Sequence, residues 1–369
     1  MVLKRFLLAC FLVVCCAFCY AQDKTNTSYF DVNYFKGHIT EHNKTLLHLI
    51  KDRPEGVILS WNKQTYGNKD WEQRFNYPDY GASFVYQDLK NDVLGNNYAV
   101  YGHYNFYFFK RNVLLRIAQG VAYNTNPYDR VTNSKNIAFG SSILSSTYLM
   151  LNYKKEYIID RFGLQAGLFL VHYSNGSIKA PNTSTNTIAF NVGLTYSLES
   201  KPLNYIKTIN RETDKAYKER IKYNLIFRTG INQSDVIGSS QFPFYVASMY
   251  ADKRINKVSA LQFGTDVFFS NFLKAHIAFK GASFPEEAVS GNEDYRRVGV
   301  FAGHELFINK LSVISQVGYY VYYPFDFEGR VYLRAGLKYY FTNRFFTNIA
   351  IKSHGAKAEA IEFGIGVRL

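Results

Sequence analysis

The chain has 369 residues, with 43 Lys and Arg against 29 Asp and Glu, a formal charge of +14, and 31 Tyr and 31 Phe. So heavy an aromatic load suits the interfacial girdles of a membrane barrel better than a soluble domain, and on an exported chain the basic excess fits phosphate-bearing lipid or a charged interior rather than nucleic acid. All four cysteines (Cys10, Cys15, Cys16, Cys19) lie in the first 21 residues, which excludes disulfides and thiolate metal ligands from the rest of the chain.

Residues 1–21 have Lys4 and Arg5, an apolar run from Phe6 to Cys19, and Ala21 ahead of Gln22. This is the pattern of a cleaved secretory signal, and the run is too short to span a bilayer comfortably. A lipid attachment at Cys10 would have too short an apolar stretch before it. Taking Lys4 and Arg5 from the +14 leaves +12.

The next segment, 22–54, does not resemble a membrane strand. Phe30 to Pro54 is charged and carries a helical apolar pattern in "LLHLI", which predicts a periplasmic lead-in or plug. It also holds the sole metal-like spacing, "HITEH", where His38 and His42 share a face if helical and His48 offers a third ligand. The glutamate is misplaced for a zinc protease, and the trio is expected to be solvated polar surface. No metal and no cofactor are predicted.

From residue 55 onward no apolar run approaches the ~18 residues of a membrane helix. Alternation takes its place. Segments of this kind begin near Gly56, Tyr80, Tyr98, Val113, Ile137, Arg161, Asn186, Ile221, Pro243, Lys257, Tyr295, Leu311, Arg330, Phe346 and Ala358. Single-chain bacterial barrels prefer even strand numbers, so the expectation is an all-β, antiparallel, transmembrane outer-membrane β-barrel of about 14 strands, roughly 12 to 16. It divides into 55–198 and 221–369 at the polar connection 199–220. A soluble sandwich or barrel is the competing architecture.

Within 55–198, the strand from Phe162 puts Phe162, Leu164, Ala166, Leu168 and Leu170 on one face, and His172 and Ser174 follow on that same face. The strand from Asn186 puts Ile188, Phe190, Val192, Leu194, Tyr196 and Leu198 on its apolar face, with Asn186 sharing their parity. Paired as a hairpin, the two strands bring three polar side chains together on the lipid side, where unpartnered polar groups are costly. One reading is an ordinary polar edge just beyond the hydrocarbon. The other is a serine nucleophile, Ser174, activated by His172 as base, with Asn186 orienting the imidazole and the Asn175 and Gly176 amides stabilising an oxyanion.

Further along, Val331 to Phe341 alternates Val331, Leu333, Ala335, Leu337, Tyr339 and Phe341 against Tyr332, Arg334, Gly336, Lys338 and Tyr340. The last segment alternates Ile361, Phe363, Ile365, Val367 and Leu369 against Glu362, Gly364, Gly366 and Arg368, like a strand that closes a barrel.

The block "HYSNGSIKAPN" resembles the lipid A 3-O-deacylase family, PagL, and the related acyloxyacyl hydrolases. So do "GVAYNTNPYDRVTNSKNIAFGSS" (Gly120 to Ser142), "WNKQTYGNKDWEQRFNYPDYG" (Trp61 to Gly81) and the closing "AEAIEFGIGVRL". The likeness covers about 56 to 198 and the last strand, and leaves Leu203 to Asn348 unexplained. It implies Ser174 as nucleophile, His172 as general base and Asn175 at the oxyanion site. The family's third catalytic residue is a glutamate about twelve positions after the serine, where this chain has Asn186; an amide can hold the imidazole's tautomer but cannot balance its charge. The implied reaction is hydrolysis of the acyl ester at the 3 position of lipid A in the outer membrane of a Gram-negative bacterium. Short family members have eight strands, so extra strands or an appended half-barrel are expected here. A non-catalytic barrel, either pore or surface interaction protein, is the alternative, and the sequence leaves a homodimer open.

Overall fold

The computed structural model describes residues 27–40, 44–209, 217, 219–284, 289–355 and 357–369. The expected signal and His42 lie outside them. Eight strands, β1 (Ser28–Ile39), β2 (Glu55–Lys63), β3 (Asp79–Asp88), β4 (Asn96–Phe108), β5 (Val113–Asn124), β6 (Ile143–Ile159), β7 (Phe162–Ser174) and β8 (Thr185–Ser197), form one closed antiparallel barrel. Eight more, β9 (Lys222–Asn232), β10 (Phe242–Arg254), β11 (Ser259–Ser270), β12 (Arg297–Phe307), β13 (Leu311–Tyr322), β14 (Val331–Tyr340), β15 (Phe345–His354) and β16 (Lys357–Arg368), form a second. The barrels close through β1 on β8 and β16 on β9.

The fold class agrees with the alternation, and the sixteen strands stand at the upper end of the expected number. Their arrangement differs from one larger barrel or a barrel with an appended half. The connection at 199–220 separates two complete barrels, because strands on either side of it find closing partners within their own half.

The other correction concerns 22–54. Ser28–Ile39 is no lead-in but the first strand of a barrel, with Phe30, Val32 and Tyr34 outward and Asp31, Asn33 and Phe35 inward. Its charge disguised it: Asp31 points into the lumen, where Arg116 meets it. Of the histidine trio, His38 sits on this strand facing out, so helical spacing does not apply, and His48 lies in a short 3-10 helix, Lys44–Leu49. Leu46 and Leu49 of that helix are buried with Leu89, Leu94 and Phe139 from neighbouring loops, an apolar stopper over one mouth of the barrel.

Both interiors are filled by side chains. In the first barrel Arg116 and Asp31 pair at 2.7 Å, both fully buried, with Asn62, Asn105 and Ser60 taking the remaining donors and acceptors. In the second, Arg334 lies between Asp266 at 2.8 Å and Glu362 at 2.6 Å, Lys338 meets Glu305 at 3.2 Å, and Arg297 meets Glu359 at 2.5 Å. Charges so deep persist because each is paired and hydrogen-bonded. The outer walls show the opposite chemistry, with Val100, Phe190, Phe263 and Ile365 each more than 60% exposed; apolar exposure on this scale suits lipid. No helix among the described residues is long and apolar enough to cross a membrane.

The ends of the barrels are unequal. Connections 40–54, 89–95, 125–142 and 175–184 leave one end of the first barrel, while 109–112 and 160–161 are tight turns at the other. The exception at the turn end is 64–78, which carries α1 (Asp70–Arg74). In the second barrel 233–241, 271–296 and 323–330 oppose the turns 255–258, 308–310 and 341–344. Within 271–296, α2 (Asn271–Ser283) buries Phe272, Leu273 and Ile277 against Phe325. The inter-barrel connection packs on the turn end of the first barrel, where the Ile206 N–H donates to the Tyr66 carbonyl at 2.8 Å and the Tyr77 hydroxyl donates to the Ile206 carbonyl at 2.9 Å.

Candidate active site

The hairpin β7–β8 places three of the residues singled out by the sequence. Along β7, Phe162, Leu164, Leu168 and Leu170 are exposed on the outer wall, while Gln165, Phe169, Val171 and Tyr173 fill the lumen. His172 and Ser174 continue the outward series at the long-loop end. His172 stands opposite Asn186 in the β7–β8 register, and its Nδ1 lies 2.6 Å from Asn186 Oδ1. An amide oxygen only accepts, so the imidazole carries its proton on Nδ1 and keeps Nε2 as its acceptor nitrogen.

Ser174 is only 4% exposed. Its hydroxyl donates to Asn182 Oδ1 at 3.1 Å, and the Gly176 N–H donates to Ser174 Oγ at 3.0 Å. Asn182 Oδ1 also accepts the Asn175 N–H at 2.9 Å, while Asn175 Nδ2 donates to the Lys179 carbonyl at 2.5 Å. Of the two proposed oxyanion donors, therefore, Gly176 addresses the serine oxygen and Asn175 is engaged in building the loop. The left-handed φ of +62° at Gly176 turns its N–H back toward the strand, a conformation glycine adopts without steric cost.

Sequence reasoning missed Asn182, eight residues after the serine, whose place is decided by the fold of the loop. It also missed a row of polar side chains beside the histidine. Gln119, Thr147, His172 and Asn186 are cross-strand neighbours on β5, β6, β7 and β8 at one level of the outer wall. Gln119 is hydrogen-bonded to both Thr147 and Ser145, and Ser145 lies opposite Ser174. Each interrupts an otherwise apolar outward series, Ile117 to Val121 on β5 and Ile143 to Leu149 on β6. The parity test that found His172 would have found them.

Charge at this end comes from the loops. Exposed Lys179 lies on the serine's loop, and in the neighbouring 125–142 loop the Asp129 carboxyl is held below the usual carboxylate range, chiefly by the N–H groups of Thr132 and Val131 and less by Lys179.

Residues 55–195 match the family model described as lipid A 3-O-deacylase (PagL), and residues 221–369 match the one described as acyloxyacyl hydrolase, C-terminal domain. The chain belongs to this family. The PagL match corresponds to the first barrel without β1, and the acyloxyacyl hydrolase C-terminal match to the second barrel, so the family boundary and the structural one coincide. A comparison with curated proteins finds no match. Similar solved structures include two mutants of the Rh. blastica porin, each at 10% identity over 93% of this chain and 99% of the porin, with TM-scores of 0.19 and 0.18; overlaps this loose carry no argument.

Proposed function

We propose that this member of the PagL and acyloxyacyl hydrolase family is an outer-membrane hydrolase that removes an ester-linked acyl chain from lipid A, and that the reaction takes place on the outer wall of the first barrel. The observation that carries this reading is the Asn186–His172 contact at 2.6 Å on a lipid-facing surface, one residue pair from a serine whose oxygen receives a turn amide. A lipid substrate diffuses in the plane of the membrane and meets such a wall without entering a lumen. The filled interiors speak against transport through either barrel.

In this mechanism Ser174 swings its hydroxyl from Asn182 toward His172, a rearrangement of the kind apo sites make when substrate binds. Oγ attacks the acyl carbonyl carbon as Nε2 of His172 takes the proton, and the carbonyl oxygen becomes an oxyanion facing the Gly176 N–H. Collapse breaks the ester bond, and the departing sugar oxygen takes the proton from His172. Water, deprotonated by the same nitrogen, then attacks the acyl-serine, releasing the fatty acid and restoring Ser174. Asn186 keeps the proton on Nδ1 throughout. The polar row of Gln119, Ser145 and Thr147 is the place for the sugar's hydroxyl and amide groups, and Lys179 suits a phosphate. The long-loop ends face the cell exterior, where lipid A lies.

The second reading is a barrel with a silent site, favoured by Asn186 at the position of the family glutamate. Mass spectrometry of lipid A from cells expressing the parent or Ser174→Ala separates the two. Loss of one acyl chain with the parent and not with the variant is the expected result. Unchanged lipid A in both, with the protein folded in the outer membrane, would sink the enzyme reading.

A further inference from the structure

The second barrel has no part in the chemistry just described, yet it grips the loop that delivers it. The carbonyl of Ser177 accepts the Gln233 N–H at 2.9 Å, and the Ser177 hydroxyl donates to the Ala358 carbonyl at 2.6 Å. The Ala180 N–H donates to Gln233 Oε1 at 2.9 Å, and Gln241 Nε2 donates to the Ile178 carbonyl at 2.6 Å. Gly176 itself lies against Ile361, so closely that a Cβ on it would fall 2.4 Å from Ile361 Cγ1. Gln233 is buried and is tied through Nε2 to the Ser239 hydroxyl, so it transmits the rigidity of the β9–β10 end. Ile361, on the outer wall of β16, is half-buried, unlike Phe363 and Ile365 further down the same face.

A ten-residue loop, 175–184, has many conformations to lose, and an oxyanion donor acts only if its direction is fixed before the charge develops. We infer that the second barrel is a positioning element for the first: Gln233 and Ile361 hold the 175–182 loop so that the Gly176 N–H addresses Ser174 Oγ. This rests on the assignment of Ser174 as nucleophile. Neither residue touches the reacting atoms, and both act through Gly176 and Ala180. The arrangement also supplies a reason for a PagL-like barrel to be fused to a second barrel with a filled interior. A misdirection of about 1 Å in a catalytic group typically costs on the order of 10²-fold in rate, and loosening one of several ties should cost less.

The test uses the intact two-barrel protein in detergent, with Gln233→Ala, Ile361→Ala, Ile361→Val, Gln233→Glu and Ser174→Ala. Three readouts are compared: the rate at which a fluorophosphonate labels Ser174, kcat and KM on purified lipid A, and deuterium uptake by the peptide spanning 175–182. The expected result is a fall of about tenfold in labelling and kcat for Gln233→Ala and Ile361→Ala. KM should stay unchanged and uptake in the loop should rise. Gln233→Glu, which keeps an acceptor for the Ala180 N–H but sets a second acceptor against the Ser239 carbonyl to which Gln233 Nε2 donates, should recover only part of the rate, and Ile361→Val should lie between Ile361→Ala and the parent. Parent-like labelling and uptake in both alanine variants, with Ser174→Ala inactive, would overturn the positioning role and leave the nucleophile in place. Faster labelling in Ile361→Ala would also overturn it, by making the second barrel a cover rather than a support. Deacylation by Ser174→Ala would instead remove the nucleophile assignment and the inference with it, while loop uptake would still report the contact.

Discussion

Each barrel carries a serine near a histidine on its outer wall, and the two pairs are not equivalent. In the second barrel Ser259 Oγ and His304 Nε2, from different strands, are 3.0 Å apart. That serine follows a four-residue turn, 255–258, at the short-turn end, and its own N–H is taken by Asn256 Oδ1. Its histidine faces Leu261 and Ser315 in the flanking strands. Ser174 instead opens a long loop that returns an amide to its oxygen, and His172 has an amide oxygen fixing its tautomer. Proximity of serine and histidine is thus common on a polar belt. What separates a candidate site is the third group behind the base and the donor in front of the nucleophile.

The sharpest way to break this comparison is to remove both serines in turn. Ser174→Ala should lower lipid A deacylation by about 10³-fold or more, read by mass spectrometry, and Ser259→Ala should leave it at the parent level. Activity lost with Ser259 and kept without Ser174 would move the site to the second barrel.

Stability offers the next effect. Both tryptophans, Trp61 and Trp71, lie in the first barrel, so their fluorescence reports its unfolding alone. Arg116→Ala strands a buried Asp31 carboxylate and should lower the tryptophan-detected urea stability by about 3–5 kcal/mol. Arg334→Ala, which takes the nearer guanidinium from Asp266 and Glu362 and leaves them only Arg228 at 3.7 and 3.6 Å, should leave that transition in place and destabilise the second barrel, followed by deuterium uptake in β14 and β16. A shared loss in both variants would show that the barrels unfold as one unit.

Asn186→Glu tests the base. A carboxylate there would both orient His172 and offset the imidazolium charge, and kcat should rise about tenfold or more. An unchanged or lower kcat would argue that the amide is the residue this site uses. The smallest change expected is at the polar row: Thr147→Val and Gln119→Leu each remove hydrogen-bonding groups from the surface beside the histidine. They should raise KM about two- to fivefold with kcat little altered, as loss of a neutral hydrogen bond does. A fall in kcat instead would place the row closer to the reacting atoms.

Fifteen of the sixteen strands were legible from alternation alone, as was the outward parity of His172, Ser174 and Asn186, because the two-residue period is a property of each strand and needs no partner. The resemblance centred on "HYSNGSIKAPN" pointed to His172 and Ser174 as well, and set Asn186 where the family has a glutamate. What only the tertiary structure decided lies in pairings between residues distant in the chain. β1 was missed because Asp31 reads as solvated charge until Arg116, 85 residues on, is seen to meet it inside the barrel. The division into two closed barrels depends on β1 finding β8 and β16 finding β9, which no local pattern encodes. Asn182 reaches the serine through a loop whose path is set by Gln233 and Ile361 of the other barrel, and no spacing along the chain could have placed them there.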